Sequence, residues 1–133
     1  MVGPTKSATG TVEVTGKLTG TFEWKKKDQK SPISCAWSAE KEIGGVKVDL
    51  SDGAGHLLTV TIDVPPAELG PARLDVKAAE LPEPQKTFTG FKVRGDDEGN
   101  IKVTFDNAAL PEKPAEPMVT LKGAIDVTCP KKK

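Results

Sequence analysis

Apolar and polar residues alternate along most of this chain with a period of two, the pattern of strands that bury one face. In residues 11–24, Val12, Val14, Leu18, Phe22 and Trp24 fall at even positions, and Glu13, Thr15, Lys17, Thr21 and Glu23 lie between them. At about 3.3 Å per residue a single strand of that length would overshoot an ordinary sheet, so Gly16 and Gly20 predict one bent strand or a tight hairpin. Ile33, Cys35 and Trp37 share a face further on, as do Val119, Leu121, Ile125, Val127 and Cys129 near the end.

Between these stretches the same rule predicts a hairpin over residues 46–64. Val46, Val48 and Leu50 alternate with Lys47 and Asp49, Asp52-Gly53-Ala54-Gly55 turns the chain, and Leu58, Val60, Ile62 and Val64 return. Residues 38–45 are polar and end in glycine, which predicts a loop or one helical turn. Pro65-Pro66 stops the returning strand, because proline cannot donate to a ladder. Leu74 and Val76 predict a short strand, and residues 80–86, with Pro82 and Pro84, an extended connection. Residues 87–93 predict one strand in which a bulge at Gly90 brings Phe88, Phe91 and Val93 to the core side. A turn at residues 94–100 leads into Ile101, Val103 and Phe105, and residues 106–117, with prolines at 111, 114 and 117, are expected to cross the end of the domain.

These elements add up to an all-β fold, an antiparallel β-sandwich of about seven to eight strands without a convincing helix. Residues 1–10 are small and polar and are expected to form a flexible leader, residues 11–130 the sandwich domain, and residues 131–133 a basic tail. A chain of 133 residues is long enough for one domain that buries about two thirds of its unfolded surface.

Charge narrows the partners. Lysine plus arginine and aspartate plus glutamate are 19 each, so net charge gives no general attraction to nucleic acid or an anionic membrane. Aromatic residues are 5% with no tyrosine, which weighs against stacking platforms for bases or sugars. No apolar run approaches the roughly 18 residues of a membrane helix. Two cysteines and abundant Thr, Gly and Pro point to an oxidising, extracytoplasmic compartment, periplasmic, cell-surface or secreted, with Met1 standing where an export signal or lipid anchor preceded the mature chain.

The cysteines carry the clearest chemistry. Each lies on the face that its own strand buries, and such a pair can meet between two sheets, which predicts a Cys35–Cys129 disulfide as a staple. There is no Cys-x-x-Cys and the chain has a single histidine, so no zinc ligand set is expected. Trp37, two residues from Cys35, is expected in the core. Trp24, beside Lys25, Lys26 and Lys27, is the candidate for a ligand-binding surface, although a lysine-rich loop also suits a solvated hairpin that discourages edge pairing.

Other motifs carry less. Arg94-Gly95-Asp96 matches the tripeptide that integrin ligands display, but a glycine with acidic neighbours is also what a turn requires. Asp96, Asp97, Glu98 and Asn100, or Asp49, Asp52 and His56, offer oxygen and nitrogen donors without the spacing of an EF-hand. His56 follows no nucleophile motif, and paired carboxylates among the 19 acidic residues define no particular couple. No metal and no cofactor is expected.

Gly20-Thr21-Phe22-Glu23-Trp24, Ser34-Cys35 and the closing run from Leu121 to Cys129 resemble the mature part of small bacterial secreted or lipid-anchored β-sandwich proteins. The resemblance implies a stapled extracytoplasmic domain and assigns no functional residue. The function expected is therefore a non-enzymatic binding or structural module that contacts protein or a cell-surface polymer. A small-ligand or carbohydrate-binding domain using Trp24 and the lysines is the alternative, and a hydrolase built on a carboxylate pair a further one.

Overall fold

A computed structural model describes residues 7–25, 33–38, 40–81, 83–96, 100–110 and 118–128. Ten strands, all antiparallel, form two five-stranded sheets among these residues. The first sheet has the order β2-β1-β10-β9-β8, built from β1 (Ser7–Gly16), β2 (Gly20–Phe22), β8 (Phe91–Gly95), β9 (Ile101–Leu110) and β10 (Val119–Thr128). The second has the order β3-β4-β5-β6-β7, built from β3 (Ser34–Ser38), β4 (Ile43–Ser51), β5 (Leu57–Val64), β6 (Arg73–Ala78) and β7 (Gln85–Thr87). The expected all-β sandwich class is therefore found, with more strands than the seven or eight read from the alternation.

The core follows from that alternation. Val12, Val14 and Phe22 of β1 and β2, Ile101, Val103 and Phe105 of β9, and Leu121, Ile125 and Val127 of β10 are buried against Val46, Val48, Leu50, Leu58, Val60, Ile62, Leu74 and Val76 of the second sheet. Burying a side chain of this size is worth about 1.5–3 kcal/mol, so these inward rows fix each strand's register. The stretch after Thr11 resolves as a hairpin, Val14 pairing with Gly20.

Several expectations are corrected. The strand begins at Ser7 and not at Thr11: residues 7–10 pair with Ile125–Thr128 of β10 and Ala8 is buried, so these residues belong to the domain and not to a leader. Residues 43–45, read as loop, open β4, because the β3–β4 turn is short and Glu42 takes a left-handed conformation, φ 54°, to close it. Within the predicted connection, β7 pairs with β6 through Gln85 and Thr87, which are polar yet buried.

The break in parity at residues 87–93 is not a bulge. It is a change of sheet: β7 belongs to one layer, β8 to the other, and the chain crosses at Gly90. Gly90 has φ 84°, its carbonyl accepts from the Asp106 amide at 2.7 Å, and a Cβ there would lie 2.6 Å from Ala108 Cα, so only glycine fits. Phe88 consequently stays out of the core, where the Lys86 ammonium sits 6.0 Å from its ring centre.

β9 runs on to Leu110 instead of ending at Phe105. A bulge with Asn107 at φ 56° shifts the register against β10 and returns Ala108 and Leu110 to the buried side. The sheets also meet at a corner beyond β2, where Glu23 and Ser51 exchange backbone hydrogen bonds of 2.9 and 2.7 Å. Cys129 lies outside the described residues, so the staple expected between the two cysteines is not among the bonds the structure describes. Cys35 is half-buried on β3 and packs against the core.

Candidate functional site

The turn between β4 and β5 gathers residues that the sequence presents separately. Asp52 opens it, and its Oδ1 accepts from the amides of Ala54 at 2.8 Å and His56 at 3.2 Å, an arrangement in which the carboxylate substitutes for missing backbone acceptors. The Ser51 hydroxyl accepts from the Gly53 amide at 3.0 Å. His56 Nδ1 meets Asp52 Oδ2 at 2.7 Å, and its Nε2 lies 3.6 Å from Glu80 Oε2, contributed by the connection after β6.

Lys25 reaches the same turn from the corner beyond β2. Its Nζ stands 3.0 Å from where a Cβ on Gly53 would be. Asp52 and Glu80 thus flank the imidazole from two segments of the chain, and Lys25 approaches the same turn from a third. Hydrogen bonds, first from the Ala54 amide and then from His56, hold the Asp52 carboxyl below its ordinary range. The bond to Asp52, helped by the two carboxylate charges, raises His56 above the ordinary histidine value. Chemically this is a histidine held between two acids, with Nδ1 at Asp52 and Nε2 toward Glu80.

Trp24, Lys25, Lys26 and Lys27 are the residues of the expected ligand surface. Trp24 is half-buried and packs on the core, Lys25 lies over the Asp52 turn, and Lys26 and Lys27 lie outside the described residues. Trp37 is half-buried too and packs against the core. Of the oxygen donors near residue 96, Asp97 and Glu98 lie outside the described residues, while Asp96 accepts through Oδ1 from the Asn100 amide at 2.9 Å and through Oδ2 from its side chain at 3.3 Å. Among the described residues no group of three or more His, Cys, Asp or Glu could hold a metal ion, and no helix is long and apolar enough to cross a membrane.

A second surface was not foreseen. On the outer face of the first sheet, register places Arg94, Lys102, Asp126 and Thr9 in one row across β8, β9, β10 and β1, and Lys92, Thr104, Ala124 and Thr11 in the next. At one end of these rows lies a groove of about 310 Å³, lined by Arg94, Asp96, Asn100, Lys102, Asp126 and Thr128 among others. Arg94 and Lys102 stand directly opposite each other and form no ion pair among the described residues. Pairing residues symmetrically about the 96–100 turn would have predicted this juxtaposition. No family model matches the chain, and neither does any curated protein or solved structure.

Proposed function

We propose that this protein is a non-enzymatic, extracytoplasmic module that contacts another protein or a surface polymer through the outer face of its β2-β1-β10-β9-β8 sheet. The observation that carries this reading is that face itself. Lys92, Arg94, Lys102, Thr104, Lys122, Asp126, Thr9, Thr11 and Glu13 are all exposed on it, and Arg94, Lys102 and Asp126 of one cross-strand row line the groove. A broad polar face with charges held in register suits a contact surface of the kind whose rim is polar and whose specificity is electrostatic. His56, the residue best suited to proton transfer, is committed to Asp52 and Glu80 instead.

The compartment and the Cys35–Cys129 disulfide form part of the same reading. No free cysteine is found among the described residues. Trp37 lies on the same face of β3 as Cys35 and packs over Gly95, whose row continues through Ile101 to Val127, two residues before Cys129. Cys35 thus shares a face of β3 with the residue that reaches the row ending at Val127, which supports the pairing. The likeness to secreted or lipid-anchored bacterial sandwich proteins accords with this placement.

Titrating isotope-labelled protein with solubilised envelope proteins, and separately with surface polysaccharide, tests the function. Amide shifts concentrated on β8, β9, β10 and β1 are expected with one of the two. Shifts confined to the Trp24–Lys25 corner would favour the small-ligand alternative and overturn the reading.

A further inference from the structure

Resting on that reading, we infer that β8 is a docking edge for an extended acidic segment of a partner protein, which adds to the sheet as a further strand. β8 is the last strand of its sheet and has no second strand partner among the described residues. The ladder shows which of its backbone groups are open. Gly90 accepts from the Asp106 amide and the Asp96 amide donates to Asn100, so in this antiparallel register the residues that exchange bonds with β9 are 90, 92, 94 and 96. The amides and carbonyls of Phe91, Val93 and Gly95 consequently point away from β9, toward the open edge.

Side chains select what can pair there. Phe91 and Val93 face the core, whereas Lys92 and Arg94 are exposed on the outer face without an ion pair among the described residues. Lys102 stands beside Arg94 as a like charge directly opposite, an arrangement that destabilises a sheet unless an anion lies nearby. Asp126 stands opposite Lys102 on β10, so the carboxylate in that row is set against Lys102, whereas Lys92 and Arg94 at the open edge have no carboxylate opposite them. A strand laid along β8 with acidic residues at alternate positions would place its carboxylates next to Lys92 and Arg94, while its backbone satisfies Phe91, Val93 and Gly95. The same cations oppose a second copy, because two β8 edges would bring lysine and arginine together. The other edges differ: β2 and β7 are three residues long, and β3 presents Ser34, Ala36 and Ser38 without charge.

The test uses the full chain and a short fluorescent peptide alternating Glu with Val, alongside a Lys–Val counterpart. The Glu–Val peptide is expected to bind at low salt and to weaken as salt rises. In the free protein the outward Phe91, Val93 and Gly95 amides should exchange quickly, and in the complex their exchange should slow. Val93→Pro removes an outward amide without touching a bond to β9 and should abolish binding. Replacing Lys92 and Arg94 together by glutamate should weaken the acidic peptide about tenfold, as two exposed charge pairs allow, and favour the basic one. Absence of protection at those amides, or an unchanged preference in the charge-reversed variant, overturns the inference. Binding of polygalacturonate without amide protection overturns it as well, in favour of an anionic polymer. If envelope components shift the outer face while β8 amides stay unprotected, this inference falls and the proposed function stands.

Discussion

The indole of Trp37 occupies the space that a side chain on Gly95 would need. Its Cε2, Nε1 and Cδ1 are the nearest atoms to a Cβ built there, and its Cε3 comes 2.9 Å from a Cβ built on Gly44. The ring thus lies in a slot formed by two glycines, one from each sheet, and ties β3 to β8. Gly95→Ala should overpack this slot and cost about 1–3 kcal/mol in denaturant unfolding. Wild-type stability in that variant would mean that Trp37 is free to leave.

Acidity should act through His56. Its raised value means that the contacts to Asp52 and Glu80 stabilise fully below the ordinary histidine value of about 6.5, and that this contribution is lost as pH rises through the folded value. Asp52 works at the opposite limit: its lowered value gives stabilisation above the ordinary carboxylate range that disappears as pH falls through the folded value. The melting temperature should therefore decline as pH rises from the ordinary histidine value of about 6.5 through the raised folded value, and His56→Gln should flatten that decline. Parallel profiles for the two proteins would exclude His56 as the cause.

The outer face of the second sheet holds a buried acid. Asp49 is 6% exposed, and the Thr59 hydroxyl donates to its Oδ1 at 2.7 Å across the β4–β5 ladder. Thr59→Val keeps the shape and removes the donor, so it should cost about 1–3 kcal/mol, whereas Thr59→Ser should lose far less. Equilibrium denaturation of the two variants separates a hydrogen-bond effect from a packing effect.

One substitution should stabilise. Glu42 adopts φ 54° in the β3–β4 turn, a conformation that costs a side-chain-bearing residue roughly 1 kcal/mol. Glu42→Gly should raise stability by up to that amount, less the added freedom of glycine in the unfolded chain. A lower melting temperature would show that the Glu42 side chain contributes more than its backbone costs.

The proposed staple has a thermodynamic signature. Closing a loop of about 94 residues between Cys35 and Cys129 restricts the denatured chain by about 4 kcal/mol. Reduction, or Cys129→Ser, should lower stability by that order while leaving the outer face of the first sheet unchanged in amide spectra. Two free thiols in the denatured, unreduced protein would refute the pairing.

Strand faces were legible because burial on one side imposes a period of two, and Val12, Val60 or Val103 cannot satisfy it in the wrong register. β7 was illegible for the converse reason: Gln85 and Thr87 are buried polar residues, and proline on both sides of Glu83 makes the run look like a connection. At Gly90 the pattern did reveal a parity break. A bulge and a crossing between layers leave the same trace in a sequence, since both displace the inward face by one residue. The Asp52 site was hidden by distance along the chain, because Lys25 and Glu80 carry no spacing that relates them to the 52–56 turn that each approaches.

The pairing of Ser7–Gly16 with Val119–Thr128 sets the order in which this molecule can assemble. The second sheet consists of successive hairpins within residues 34–87 and can form while synthesis continues. The first cannot close until the final strand arrives, because β10 lies between β1 and β9 and bridges the two ends of the chain. The hairpins of the second sheet can thus form early, but the sandwich becomes native only when β10 docks between β1 and β9.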